Sequence, residues 1–346
     1  MIRTVSKIIV VSLTVSFVAG LVIGGFADIA SAQDKIKVGV SLPTQREERW
    51  VKDAESLKAE AAKQGLELSF QVSDNDAAKQ ISQCENLIAQ QVKVLIVAPH
   101  DANGAAAIVE KAREAGIKVI SYDRLILNAD VDLYISFDNV KVGEIQGEYI
   151  TKLVPRGNYI VLAGSPTDNN ARMFKEGAMK FIKPLADSGE VKIVMEQFVK
   201  DWQPAEAMKL VENSLTANGN KIDAILAPND GTAGGAIQAL AAQKLDGKVP
   251  VTGQDAELSG AQRIVEGTQT MTVFKDTRLL AVAAIEAAVK MARGENVSAN
   301  SKINNGKADI PSMLLTPVGV DRGNIDKLLV ESGYLKKEDV YKNVKK

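Results

Sequence analysis

The sequence predicts an α/β protein built from two similar doubly wound parallel-sheet lobes joined by a multi-strand hinge. Three observations carry this reading. First, one stretch occurs twice, over residues 93–123 (KVLIVAPHDANGAAAIVEKAREAGIKVISYD) and 222–255 (IDAILAPNDGTAGGAIQALAAQKLDGKVPVTGQD). Each copy runs from a short apolar segment ending in Ala-Pro, through a polar pair and an Ala-rich amphipathic helix, to a second apolar segment ending in Asp123 or Asp255. That is strand, helix and parallel strand with a crossover. Second, the segments ahead of each copy repeat the order strand, loop, helix, so each half reads as one wound sheet. Third, 346 residues with 46% apolar content are enough for two cores.

In the first half, residues 35–42 (KIKVGVSL) have the length and apolar character of a strand. PTQREERW reads as the polar loop after it. Residues 52–64 read as a helix with Ala54, Leu57 and Ala61 inward, closed by Gly65. Residues 66–72 are the second strand. Residues 73–76 (SDND) supply a capping oxygen for a helix over 77–91. The first copy of the repeat follows, and residues 130–138 (DVDLYISFD) read as a strand leaving the lobe.

The second half opens with a helix over 140–153, broken by Pro155-Arg156-Gly157. Residues 158–163 are a strand, GSPTDNNAR its loop, and 174–185 a helix. Residues 191–199 are a strand, KDWQP its loop, and 205–216 a helix before the second copy. Residues 269–275 alternate as a strand, 277–293 form a long apolar-striped helix, 299–316 a loop and short strand, and 324–332 a last helix. These pieces do not make a further repeat, so the chain is expected to cross between lobes more than once. The predicted lobes are 34–139 plus 277–305, and 140–274 plus 306–340. Hinge segments are expected near 137–142, 274–276 and 305–312, which permits closure by hinge bending.

Residues 1–33 stand apart. Arg3 and Lys7 precede an apolar run from Ile8 to Gly25, and Ala30-Ser31-Ala32 offers a small-residue cleavage site before Gln33. This is the pattern of a secretory signal peptide, and it predicts work outside the cytoplasmic membrane, in the periplasm or at the cell surface. A retained anchor is the alternative. Forty-two basic and 43 acidic residues leave a net charge of −1, so no basic field for nucleic acid exists. Cys84 is the sole cysteine, which excludes an internal disulfide. Its apolar neighbours Ile81, Leu87 and Ile88 predict a buried, inert thiol.

In an open parallel sheet, ligands bind past the carboxyl ends of the strands. Topology therefore nominates candidates before chemistry is asked. In the first half these are Arg49 and Trp50, His100 and Asp101, and Asp123 and Arg124. In the second they are Asp168, Asn169 and Asn170, Trp202, Asn229 and Asp230, and Gln254 and Asp255, with Lys275 ending a later strand. Asp and Asn accept from hydroxyls, whereas Arg, Lys and Asn donate to hydroxyl and ring oxygens. The two tryptophans of the chain fall one in each half, placed to sandwich a sugar ring. Enzyme readings find less support. His100 is the single histidine, no Gly-x-Ser-x-Gly elbow exists, and GTAGGA at 231–236 matches neither dinucleotide nor P-loop fingerprints. Those glycines are expected to serve close packing of the helix on its sheet. No Cys/His metal cluster is present, and no cofactor is expected.

The chain resembles the periplasmic sugar-binding proteins of ABC transporters, of the ribose/galactose type. ERW at 48–50, YDR at 122–124, YISFDN at 134–139, GSPTDNNA at 164–171, NDGTAGGAIQAL from 229, GQDA from 253, GTQTMTVFK ending at Lys275 and NNG…PSMLLTPV from 304 carry the resemblance. It covers nearly all of residues 35–335. It implies the type I periplasmic binding protein fold, no catalysis, and capture of a monosaccharide, D-xylose foremost. It further implies delivery by a monomer to a membrane permease. Arg49, Asp123 and Arg124 should bind sugar oxygens from the first lobe, with Asp168, Asn170, Asn229, Asp255 and Lys275 doing so from the second. Trp50 and Trp202 should stack on the ring. The first strand's loop lacks the acidic pair expected of the family, and His100-Asp101 replaces an aromatic–amide pair. The alternative role is an anchored sensor subunit presenting ligand state to a sensor kinase.

Overall fold

The computed structural model describes residues 35–344, which belong to one compact body. The exported leader expected over 1–33 lies outside the described residues. In chain order the first half comprises β1 (Lys37–Leu42), α1 (Glu48–Lys63), β2 (Glu67–Val72), α2 (Ala77–Ala89), β3 (Val94–Val97), α3 (Ala106–Glu114), β4 (Lys118–Tyr122) and β5 (Leu133–Phe137). The second half comprises α4 (Asn139–Leu153), β6 (Gly157–Ala163), α5 (Asn169–Asp187), β7 (Val191–Phe198), α6 (Pro204–Ala217), β8 (Ala224–Leu226), α7 (Asp230–Ala242), α8 (Leu258–Glu266) and β9 (Met271–Phe274). Then come α9 (Thr277–Ala292), β10 (Ser301–Asn304), β11 (Asp309–Leu315), β12 (Val318–Asp321) and α10 (Lys337–Val340).

The first sheet has the order β10-β11-β5-β4-β3-β1-β2 and is parallel except for the β10–β11 hairpin. Its central strands β1, β3, β4 and β5 are buried on both faces and read as apolar runs, as a sheet covered by helices requires. One face packs α1 and α9 on Val38, Val40, Ile96 and Ile120. The other packs α2 and α3 on Leu95, Val97 and Val119. Cys84 sits fully buried in that second layer, where burial pushes its thiol up to about 11.

The second sheet runs β7-β6-β8. It continues through a parallel bridge from Ile225 to Val251 and hydrogen bonds from residues 270–273 to 251–255, to reach β9 and its antiparallel partner β12. Strand for strand, this repeats the first sheet's order β2-β1-β3-β4-β5, with 251–255 in the place of β4 and β9 in the place of β5. The internal repeat thus builds two sheets of one topology.

The chain crosses between sheets at residue 138, at 275–276 and at 316–317. The third crossing corrects the expected boundary after residue 305, because β11 pairs with β5 and β10 in the first sheet. The turn-rich Asn305–Ala308 was expected to mark a hinge; it is the tip of the β10–β11 hairpin, with Asn305 Oδ1 accepting from the amides of Lys307 and Ala308. The last helix expected over 324–332 is instead one π-type turn, Asp326–Val330, followed by α10. Gly235 does serve close packing, but against a helix: a Cβ there would meet the Pro204 carbonyl of α6 at 2.0 Å.

Candidate functional site

The carboxyl ends of the two sheets face each other across a narrow polar cavity. All ten residues proposed from sequence line it: Arg49, Trp50, Asp123, Arg124, Asp168, Asn170, Trp202, Asn229, Asp255 and Lys275. The remaining lining residues are Glu47, Phe174 and Gln254. Of these, Gln254 was a candidate by position. Glu47 and Phe174 were missed, since one carboxylate in a charged loop and one apolar residue on an amphipathic helix give no distinguishing signal.

Local structure explains several placements. Glu48-Arg49-Trp50 form the first turn of α1 rather than a loop, so Arg49 and Trp50 point from a rigid helix end. Asp168 caps α5 by accepting from the Asn170 amide at 2.9 Å. Asn229 caps α7, its Oδ1 accepting from the amide and hydroxyl of Thr232, which leaves its Nδ2 as the group offered to the cavity. Asp123 and Asp255, the aspartates that end the two repeats, both adopt left-handed backbone, with φ of 58° and 96°. Such conformations cost energy and concentrate at functional sites. At Asp123 the cost is offset by three hydrogen bonds to its carbonyl, from Tyr134, Ser136 and Asn170.

The charged groups form one lattice across the lobes. Arg49 donates to Asp53 behind it and to Asp123 at 2.8 Å, with Asp255 at 3.8 Å. Lys275 stands 3.2 Å from Asp123 and 3.7 Å from Asp255. Arg124 pairs with Asp168 at 2.8 Å across the cleft. Burial alone would raise Asp123, but Arg49 and Lys275 together hold it well below the usual carboxylate range. Asp53, Asp168 and Asp255 are pushed upward by burial, against the cations beside them. Burial opposes the charge of Arg49, and the carboxylates of Asp123, Asp53 and Asp255 overrule it.

Aromatic walls complete the cavity. The guanidinium carbons of Arg49 and Arg124 stand 4.2 and 5.0 Å from the Trp50 ring centroid. Trp202, from the polar loop KDWQP, is buried, at 7% exposure. Its Nε1 donates to Asp168 at 3.1 Å, and it meets Phe174 edge-on at 6.2 Å. Gly164 makes room for it: a Cβ there would fall 2.0 Å from the indole ring. Gly164→Ala is therefore expected to displace Trp202, weaken ligand binding and cost about 1–3 kcal/mol of stability through overpacking, checked by tryptophan fluorescence, titration and urea melts.

His100, Asp101, Asn169 and Asp230 do not line the cavity. His100 and Asp101 lie at the rim, where the His100 carbonyl accepts from Thr167 across the lobes and Asp101 holds the following turn. The lobes also meet where Arg46 donates to the Asp201 carbonyl, and where Glu48 Oε2 accepts from the Leu258 amide at 2.8 Å. Leu258 opens α8, so a carboxylate of the first lobe sits on a helix N-terminus of the second, a favourable placement for negative charge. Among the described residues, no group of His, Cys, Asp and Glu suits a metal ion.

A family model described as a periplasmic binding protein domain matches residues 38–296. The chain belongs to the periplasmic binding protein family. Two relatives are D-xylose-binding periplasmic proteins. That of Escherichia coli is 46% identical over 313 residues, covering 90% of this chain and 95% of that protein. That of Haemophilus influenzae is 45% identical over 316 residues, covering 91% and 95%. A crystal structure of a carbohydrate transporter solute-binding protein from Chloroflexus aurantiacus, in complex with D-glucose, superposes with a TM-score of 0.82 at 38% identity. It covers 87% of this chain and 97% of that one. These likenesses bear out the expected type I periplasmic binding protein fold.

Proposed function

We propose that this periplasmic binding protein captures a neutral monosaccharide, D-xylose foremost, between its lobes and delivers it to the membrane permease of an ABC transporter. The observation that carries this reading is the make-up of the cleft. Three cations face four carboxylates between aromatic walls, an alternation of donors and acceptors that suits a ring of hydroxyls and gives an anionic ligand no net attraction. The D-xylose-binding relatives at 45–46% identity favour xylose among such ligands. In this reading the ten lining residues named from sequence are the sugar contacts. The first lobe comprises residues 35–138 and 276–316, the second 139–275 and 317–344. The protein acts as a binding component rather than an enzyme.

Calorimetry with xylose, ribose, arabinose, glucose and galactose tests it. Xylose should bind most tightly, because a site of buried hydroxyl-binding groups rejects sugars that leave them unpaired. Tight binding of another sugar with none of xylose overturns the substrate; binding of none overturns the function. Because each lobe supplies part of the polar lattice, ligand should favour the closed form. Solution scattering should then show compaction at saturating sugar, and superimposable curves would count against hinge closure. Trp202→Ala should weaken binding by about 1–3 kcal/mol through lost ring contact.

A further inference from the structure

Glu47 stands outside the ion-pair lattice, yet it lines the cavity. Its side chain is 9% exposed. It occupies the N-cap position of α1 without capping that helix. Oε1 accepts from Arg46 at 2.5 Å, whereas Oε2 is buried with no hydrogen-bond partner among the described residues. A buried carboxylate oxygen without a donor is costly, and such orphans in an otherwise satisfied site call for a missing partner. Across the cavity, Gln254 Oε1 of the second lobe is also buried without a partner.

Of the other cavity carboxylates, Asp123 and Asp168 are already engaged, and Asp255 lies 3.7 Å from Lys275 and 3.8 Å from Arg49. Asp123 receives Arg49 and Lys275 on one oxygen and Asn170 on the other. Asp168 receives the Asn170 amide on one oxygen and Arg124 with Trp202 on the other. Glu47 Oε2 is thus an acceptor left with full capacity. It is also aimed by closure, because Arg46, which holds its other oxygen, reaches over to the Asp201 carbonyl of the second lobe.

We propose that Glu47 is a specificity-determining residue of the cleft, its Oε2 accepting a hydrogen bond from one hydroxyl of the bound monosaccharide. The inference rests on the sugar-binding reading above. A hydroxyl supplies the donor that Glu47 lacks; the carboxylate of a sugar acid would not, and it would meet a cavity already carrying one excess negative charge. The residue therefore selects for neutral sugars that present a hydroxyl at its position.

The test is calorimetry on wild type, Glu47→Leu and Glu47→Gln with D-xylose, D-glucose and the mono-deoxy analogues of the sugar that binds better. Glu47→Leu should weaken that sugar on the order of tenfold to a hundredfold, the range for hydrogen bonds to a charged group. Glu47→Gln should lose less, since its amide oxygen still accepts. One deoxy analogue should lose a similar factor from wild type and nothing further from Glu47→Leu, the signature of a direct pair. Should the leucine variant fail to fold, the glutamine variant, of nearly the same shape, carries the deoxy comparison. Unchanged affinity in the variants, or equal losses of every deoxy analogue from both proteins, overturns the proposal. Absence of sugar binding by the wild type overturns the proposed function itself, and this inference with it.

Discussion

Asp123→Ala is expected to reduce sugar affinity on the order of a hundredfold or more and to destabilise the fold by about 3–5 kcal/mol. Both losses have one origin. Asp123 is 2% exposed and neutralises Arg49 and Lys275, which are themselves buried. Removing it leaves two buried cations to share Asp53 and Asp255, with Asp255 3.7–3.8 Å from both. Alanine also removes a residue type suited to the left-handed backbone at this position. Asp123→Asn separates the two effects, since asparagine tolerates that conformation and keeps the shape while losing the charge. The asparagine variant should fold better than the alanine variant and still bind sugar poorly. Urea denaturation and calorimetry at pH 7 read both quantities, and wild-type affinity in the asparagine variant would remove Asp123 from the site. Because Arg49 and Lys275 depress the folded-state pKa of Asp123, its contribution to stability is present above the ordinary carboxylate range. It is lost only as pH falls through the depressed value, so at pH 5 the pairs that Asp123 itself makes with Arg49 and Lys275 should remain intact.

What the sequence disclosed and what it hid divide along physical lines. The repeat was legible because two apolar strands flanking an Ala-rich helix leave a period that survives divergence, and because the residue after each strand end has a fixed topological role. That is why Asp123, Asp255, Arg124 and Asn229 could be named by position. Trp202 was nominated from its place in a strand-end loop, and it lines the cavity. A polar loop gives no sign of burial, yet Gly164 and Phe174 pack against the indole. Glu47 stayed hidden because its role depends on an unfilled acceptor, a property of packing that no residue pattern carries. The third crossing was misplaced because a hairpin tip and an interlobe connection share the same turn chemistry: Asn305 and Gly306 announce a turn, and only strand pairing says which kind. The charge lattice was likewise half visible. Its members could be listed, but that Arg49 spends one edge on Asp53 behind it, while Asp123 answers two cations, is decided by distances.

Asp230 is the support beneath the second lobe's share of the cleft, and its removal should produce the other large loss. It is fully buried next to Asn229. Its Oδ2 accepts from the Glu257 amide and the Thr272 hydroxyl, both at 3.0 Å, and its Oδ1 accepts from Gln269 at 2.6 Å. One side chain thereby ties the start of α7 to β9 and to the segment leading into α8, the elements that carry Asn229, Lys275 and Asp255. Asp230→Ala leaves three buried donors unpaired, each costing roughly 1–3 kcal/mol, so destabilisation of at least about 3 kcal/mol is expected in urea melts. A change below about 1 kcal/mol would remove Asp230 from this supporting role. Burial pushes its carboxyl up to about 7 despite those donors. A pKa raised on folding stabilises fully below the ordinary carboxylate range and ceases to do so as pH rises through the folded value, so this site should lose stability between about pH 4 and 7. Asp230→Asn does not titrate and should be free of that loss. Its deficit relative to wild type is therefore expected to narrow from pH 4.5 to pH 7.5, and a deficit equal at both would mean that the Asp230 carboxyl ionises in the fold as readily as in the unfolded chain.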